Sequence, residues 1–275
     1  MSFLFATHKV RLRQKKSLIL EIPLAFNCNL NCIHCSSFSP LYNEEVADYA
    51  RLSEDIERLA VIDSIHNIIK TIAFTGGEPL LYPDLIKVIE LSKQCFPNSD
   101  IDIQTNGILL TQMSEEFWIT CQNNNVRFLL TNYPIDLDMN SINRIMNKYD
   151  LKLDIFGGKT KTMFRMLLDP NGRNDVNANF KRCPKSNIYP KLRDGNIYMC
   201  AAPTYVHKLN EYFNQNFHVS DKDRINIYKI NGSDDIAKFL TKPTPFCRYC
   251  DLKNMKFGIP WDKSCKDLCE WSSGR

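Results

Sequence analysis

The chain of 275 residues carries little net charge: 35 Lys and Arg against 31 Asp and Glu leave +4. No long basic run accompanies that balance, so the electrostatic footprint of a nucleic-acid binder is missing. The Lys/Arg group from Lys9 to Lys16 reads as a solvated N-terminal segment rather than a nucleic-acid arm. No apolar stretch reaches the roughly 20 residues of a membrane span. The start, Met1-Ser2-Phe3-Leu4-Phe5, is too short and ill-ordered for a signal peptide. No nucleic-acid or membrane partner is therefore expected, and the cytoplasm is the expected compartment. In that setting 11 cysteines point to metal ligation rather than to a disulfide framework. Hydrophobic residues make up 44% of the chain, ample for a packed core. The length allows one large domain or two modest ones.

The first half alternates strand-like and helix-like stretches. Leu18 to Leu24 is a near-continuous apolar run, as in a buried parallel strand. Between Arg51 and Asn67 one helical stripe holds Leu52, Ile56, Leu59 and Ile62. Ile69 to Phe74, Ile101 to Thr105, Val126 to Thr131 and Leu151 to Phe156 are the next strand candidates, and Met163 to Leu168 is a sixth. Between them, Pro83 opens one helix, Ser114 caps another, and Ile142, Ile145, Met146 and Tyr149 mark the face of a third. This alternation implies an α/β fold with a parallel sheet and right-handed crossovers. Six such units make a partial barrel open on one side; a doubly wound sheet fits the same pattern. In either, the functional loops gather at the carboxyl ends of the strands.

The loops at those ends are unusual. The first is Phe26-Asn27-Cys28-Asn29-Leu30-Asn31-Cys32-Ile33-His34-Cys35. Its three thiols can share one metal centre but cannot complete four-coordination. A structural zinc site closes its shell with a fourth protein ligand, and four-iron clusters are usually held by four thiolates. Three thiolates leave one iron open to a substrate or cofactor. A zinc knuckle or unconnected thiols are the other readings. Strand two ends in Thr75-Gly76-Gly77-Glu78-Pro79, strand three in Thr105-Asn106-Gly107, and strand four in Asn132-Tyr133-Pro134. The two adjacent glycines let backbone approach a ligand closely and reach positive φ.

The spacing of Cys28, Cys32 and Cys35 resembles the CxxxCxxC signature of the radical S-adenosylmethionine (SAM) superfamily, and Gly76 to Pro79 resembles its GGEP motif. The resemblance implies a partial (βα)6 TIM-like barrel, a [4Fe-4S] cluster held by those three cysteines, and SAM chelating the open iron. It also implies reductive cleavage of SAM to a 5′-deoxyadenosyl radical that abstracts hydrogen from substrate, with a flavodoxin- or ferredoxin-type electron donor. Under the same resemblance Thr75, Gly76, Gly77, Glu78 and Pro79 hold the methionine ammonium. Ile33 and His34 occupy the positions beside the third cysteine that shield the cluster and touch adenine, Phe26 is a further cofactor-binding candidate, and His34 is read as a packing and backbone contact rather than an iron ligand. Thr105, Asn106 and Asn132 are candidates for the remaining polar groups of SAM. Asn106 reads equally well as the turn residue of an Asn-Gly pair.

After Leu168 the alternation stops. Asp169 to Phe180 is rich in Asn, Gly and Asp and reads as a loop, so a boundary is placed there: 1–168 and 169–275. Ile188 to Leu192 and Ile197 to Cys200 flank Asp194-Gly195, a hairpin signal. Cys183, Cys200, Cys247 and Cys250 could form a zinc ribbon. With the first half in view, they resemble the twitch domain, the short form of the SPASM extension: a small Cys-rich α+β unit holding one auxiliary [4Fe-4S] cluster. Cys265 and Cys269 depart from the longer SPASM pattern and read as packing or surface thiols, or as a replacement ligand. Cys95 and Cys121 read as buried apolar side chains.

One radical SAM centre with one twitch cluster is similar to the aminocyclitol dehydrogenases, the 2-deoxy-scyllo-inosamine dehydrogenases among them. The loop from Cys28 to Pro40 also looks like radical SAM proteins of surface-polysaccharide clusters. Both imply a small sugar- or cyclitol-like substrate whose secondary alcohol is oxidised to a ketone, with the auxiliary cluster accepting an electron. Arg165 and Tyr133 are the candidates for touching substrate, and Tyr133, Asp154 and His207 for the base. An epimerase is a second reading and needs Cys95 or Cys121 to face the cavity. A peptide-modifying enzyme is a third; the segment before Ser17 is too short for a peptide-recognition domain. A sensor that binds SAM without cleaving it is a fourth.

Overall fold

The computed structural model describes residues 17–157 and 162–274. The Lys9 to Lys16 group and the Met1 to Phe5 start lie outside the described residues. Strands β1 (Leu18–Ala25), β2 (Ile69–Gly76), β3 (Asp100–Thr105), β4 (Arg127–Thr131) and β5 (Lys152–Phe156) form one parallel sheet in that order. Helices α1 (Tyr49–Asp63), α2 (Leu85–Cys95), α3 (Glu115–Asn123) and α4 (Met139–Lys148) make the crossovers. This is the open TIM-like α/β barrel that the resemblance implied and the alternation allowed.

Local chemistry sets the element ends. The Asp48 carboxylate accepts the Arg51 N–H at 2.8 Å and starts α1. Asp63, in its last turn, accepts from the N–H groups of Ile68 and Ile69 at 2.9 and 3.0 Å, which carries the chain directly into β2. Ser114 caps α3 as expected, accepting from Phe117 at 3.2 Å. Pro83 stands just ahead of α2, whose cap is Asp84. Leu52, Ile56, Leu59 and Ile62 of α1 are buried against Leu20, Ile22, Ile72 and Phe74 of the sheet.

The inner surface of the barrel is partly ionic. Arg127 makes a two-pronged pair with the buried Asp102 at 2.9 and 2.7 Å. The registers Ala73↔Asp102 and Glu21↔Ala73 put Glu21 in the same row, where it pairs with Lys191. A charge buried in such a sheet survives only with a partner.

Two features differ from the expectation. The sixth strand exists, as β6 (Thr162–Arg165), but it pairs antiparallel with β10 (Lys256–Pro260). The segment that follows β6 is clamped on both sides, Asp251 N–H to Leu167 O at 2.9 Å and Leu168 N–H to Trp271 O at 2.8 Å. Those bonds to the C-terminal part compete with pairing against β5. Among the described residues β5 is therefore the terminal strand, with Ile155 and Phe156 half exposed. The stretch expected as loop from Asp169 to Phe180 ends in a helix, α5 (Val176–Arg182). Asp175 caps it, accepting from Ala178 at 2.9 Å, and Phe180 anchors it in the core.

On the other side of β1 the sheet continues through β7 (Lys191–Arg193), β8 (Asn196–Tyr198) and β9 (Arg224–Asn226). The hairpin between β7 and β8 turns on Asp194 and Gly195, both left-handed with φ 49° and 71°. It is fastened to α1 by Asp55, only 1% exposed. The Asp55 carboxylate accepts the Gly195 N–H at 2.6 Å and the Tyr228 hydroxyl at 2.8 Å. Helices α6 (Ala201–Phe213) and α7 (Ser233–Leu240) complete the fold. Replacing Asp55 by Ala strands both donors. The expected loss is roughly 1.5–3 kcal/mol of stability, read as a lower urea midpoint, with Asp55→Asn losing less.

Candidate functional site

Each expected loop does follow the carboxyl end of its strand, and they meet. Gly77 N–H bonds Ala25 O at 2.6 Å and Glu78 N–H bonds Asn27 O at 3.1 Å, so the Gly-Gly loop lies flat on the start of the cysteine loop. A Cβ at Gly77 would stand 2.0 Å from Asn27 O. A Cβ at Gly76, where φ is +129°, would stand 2.1 Å from Ala25 O. The glycines are needed first because the backbone of the cysteine loop itself approaches here.

Glu78, 1% exposed, ties the second and third loops together. Its carboxylate accepts from Thr105 Oγ1 at 2.7 Å, Leu80 N at 3.2 Å and Asn106 N at 2.9 Å. Burial raises its pKa from 4.5 to about 7 despite those bonds. The Asn106 amide then reaches Asn29 Oδ1 at 2.7 Å and Cys28 Sγ at 3.6 Å, while its Oδ1 accepts from Ile108 N at 3.0 Å. Asn106 is thus both the turn residue and a contact of the cysteine loop.

The cysteine loop holds three left-handed residues, Asn31, His34 and Phe38. Residues from the other end of the chain bond the same loop. Ile33 N–H bonds Asp262 O at 2.9 Å, Ser264 N–H bonds Asn31 O at 2.8 Å, and Trp271 Nε1 donates to Cys35 O at 2.9 Å. His34 Nδ1 lies 2.8 Å from Glu270 O, a backbone contact as expected.

All seven cysteines expected to bind metal line one cavity of about 370 Å³: Cys28, Cys32 and Cys35 with Cys183, Cys200, Cys247 and Cys250. That volume is typical of a small-molecule site. His34, Thr75, Gly76, Gly77, Glu78, Thr105, Asn106 and Tyr133 line it too. Phe26, Pro79, Asn132 and Arg165 do not. Phe26 is buried against Tyr42 and the Arg193 guanidinium, 4.3 Å from its ring. Pro79 starts a short turn, Asn132 N–H bonds Phe156 O, and Arg165 stands opposite Lys256. Asp154 is outside the cavity near Arg127, and His207 belongs to a separate polar groove beside Tyr42. Cys95 and Cys121 pack with the core behind the sheet, and Cys265 and Cys269 are exposed.

The four later cysteines converge from separate elements. Cys183 ends α5, Cys200 precedes α6, and Cys247 and Cys250 sit on one tight turn. Asn179 of α5 donates to the carbonyls of both Cys247 and Cys250, at 2.8 and 2.7 Å. The Cys250 thiol is pushed well above its ordinary pKa, first by burial and then by the like charge of Cys200, Cys183 and Cys247 beside it. Burial likewise pushes Cys28 up to about 12, with Glu78, Cys35 and Cys32 adding to it. Thiols so raised ionise only beside a cation or metal.

The donor set suits clusters. All 11 cysteines are free. Cys28 Sγ accepts from Leu30 N at 3.5 Å, and Cys32 Sγ from Trp261 Nε1 at 3.1 Å. Thr75 Oγ1 and Ser39 Oγ line the cavity, buried and without a hydrogen-bond partner among the described residues. Such hydroxyls mark room for a polar ligand. Among the described residues no three His, Cys, Asp or Glu side chains converge to hold a single metal ion.

Sequence reading passed over several wall residues. Glu21 and Lys191 pair across the β1–β7 seam, and Gln104 and Asn179 join them. Only Glu21 gave a signal, as the one acid in an otherwise apolar strand. Trp271 of the wall, and Trp261 bonded to Cys32 behind it, gave none, because their contacts span more than 200 residues.

An open α/β barrel with a three-cysteine loop beside a glycine pair defines a class of cofactor enzymes. Residues 22–152 match the family model described as "Radical SAM superfamily", and the chain carries a radical SAM domain. The family implies SAM and a 4Fe-4S cluster. The structure of BtrN in complex with AdoMet and 2-DOIA aligns over 86% of this chain and 93% of that one, at 15% identity and a TM-score of 0.53. Native anSMEcpe with bound AdoMet aligns over 86% and 84%, at 15% identity and a TM-score of 0.50. These two likenesses concern the fold. A GTP 3',8-cyclase of Clostridium botulinum (strain Hall) is 33% identical over 102 residues, 37% of this chain and 31% of that protein. A probable GTP 3',8-cyclase of Methanothermobacter marburgensis is 34% identical over 95 residues, 34% of this chain and 29% of that protein. The match thus spans about a third of the length of these curated relatives. Among the described residues no helix is long and apolar enough to cross a membrane.

The raised Glu78 makes the metal-free chain pH-sensitive. Between 4.5 and about 7 the folded state holds a proton the unfolded state has lost. Stability therefore falls as pH rises through that window, at up to about 1.4 kcal/mol per unit, and levels off above it. Urea midpoints from pH 4.5 to 8 are expected to show this fall, and Glu78→Ala to flatten it.

Proposed function

We propose that this protein is a radical SAM enzyme that oxidises a secondary alcohol of a sugar- or cyclitol-like substrate to a ketone. The carrying observation is that seven cysteines from two separate parts of the chain line one cavity. Cys28, Cys32 and Cys35 would hold the SAM-binding [4Fe-4S] cluster, and Cys183, Cys200, Cys247 and Cys250, from the part after residue 168, an auxiliary one. With SAM on the first centre and one electron from an external donor, that centre would supply a 5′-deoxyadenosyl radical able to remove a carbon-bound hydrogen, and the second would supply an acceptor for the electron left behind.

The chain's own residues do the positioning. Gly76, Gly77 and the free Thr75 hydroxyl face the ligand space, and Glu78 fixes the Thr105 and Asn106 loop against Cys28. Oxidation of an alcohol also releases the hydroxyl proton. Glu21 and Lys191 are the buried pair on the wall able to take it, and burial lowers Lys191 to about 8. Asp154 and His207, considered for this role from sequence, lie outside the cavity. Epimerisation by Cys95 or Cys121 is disfavoured because neither thiol lines it.

A second reading, a nucleotide cyclase, draws on the GTP 3',8-cyclase relatives. Anaerobic reconstitution separates the readings. About eight irons per chain are expected, falling to about four in the Cys247→Ala, Cys250→Ala variant. With dithionite and SAM the protein should form 5′-deoxyadenosine, and added GTP should not be consumed. About four irons with bound zinc would defeat the auxiliary-cluster assignment; a cyclised GTP product would defeat the dehydrogenase.

A further inference from the structure

We infer that Trp261 is a positioning residue for the iron–sulfur centre at Cys28, Cys32 and Cys35, its indole N–H held on the Cys32 sulfur so as to set that centre's reduction potential. The inference rests on the cluster assignment proposed above. Trp261 Nε1 is 3.1 Å from Cys32 Sγ, although 229 residues separate them. The indole nitrogen is a donor only, so the hydrogen points at the sulfur.

The geometry is built, not incidental. Residues just beyond Trp261 zip to the cysteine loop: Ile33 N–H to Asp262 O at 2.9 Å, a bridge between Cys32 and Lys263, and Ser264 N–H to Asn31 O at 2.8 Å. This short ladder fixes the backbone of both partners at the point of contact. The Tyr133 ring packs against the indole at 6.2 Å, and its hydroxyl also bonds Cys32. Cys32 itself is 7% exposed. Two donors from separate parts of the chain thus converge on the most buried cysteine of the loop.

An N–H or O–H aimed at a cluster thiolate stabilises the added negative charge of the reduced state, and so raises the potential. In a buried site the effect is larger than in water. The test is an EPR-monitored redox titration of the anaerobically reconstituted full chain, following the reduced-cluster signal that disappears in Cys28→Ala. In Trp261→Phe the ratio of reduced to oxidised centre at a fixed poise should fall about tenfold, which is ~59 mV for one electron. Tyr133→Phe should move it the same way. Should Trp261→Phe fail to take up iron, the unsubstituted protein still decides. Labelled with indole-¹⁵N tryptophan, its reduced centre should show ¹⁵N hyperfine coupling that persists in Trp271→Phe, the other indole on the loop. An unmoved potential in reconstituted Trp261→Phe, or no ¹⁵N coupling in the unsubstituted protein, overturns the inference alone. A chain whose EPR signal does not depend on Cys28 overturns the cluster assignment and the inference with it.

Discussion

The contact on which the site depends is backbone against backbone. The loop after β2 bonds to the loop after β1 through Gly77 N–H to Ala25 O and Glu78 N–H to Asn27 O. No side chain fits between them at Gly76 or Gly77. This contact fixes where Cys28 begins its loop and where Glu78 begins to reach β3. From Glu78 the constraint passes to Thr105 and Asn106, and from Asn106 back to Cys28. The first three loops therefore close into one unit with a buried carboxylate at its centre. That carboxylate sits in an environment that disfavours its charge, which is the usual condition of a group kept for position rather than stability.

The remainder of the site is assembled from much farther away along the chain. The hairpin at Asp194 and Gly195 is pulled onto α1 by Asp55, and this brings β7 alongside β1. Lys191 then meets Glu21, and Cys200 comes to the cavity that the cysteine loop lines. On the other flank, Asn179 holds the turn of Cys247 and Cys250 against α5. The C-terminal segment crosses the cysteine loop and supplies the N–H groups of Trp261 and Trp271.

Much of this was legible in the sequence where the signal is local. Hydrophobic periodicity gave β1 to β5 and α1, because a buried stripe must repeat with the element's own period. Spacing gave the three-cysteine loop, and Asp194-Gly195 gave the hairpin. Three things stayed hidden. The partner of β6 depends on β10, some 90 residues later, and pairing at that distance leaves no periodic trace. The helix α5 has few apolar residues and is held chiefly by its cap and by Phe180. Arg165 was placed in the cavity because a barrel strand was expected there; the pairing with Lys256 puts it elsewhere.

Among the described residues the opening of the barrel leaves β5 as a terminal strand, with Ile155 and Phe156 half exposed. A bare strand of that kind is a template for another strand, since its unpaired N–H and C=O groups face outward. Concentrated preparations are thus prone to self-adhesion along this rim, quite apart from any oxidative damage to the thiols. Swapping Ile155 for lysine would place a charge on the sticky surface at a residue that does not line the cavity.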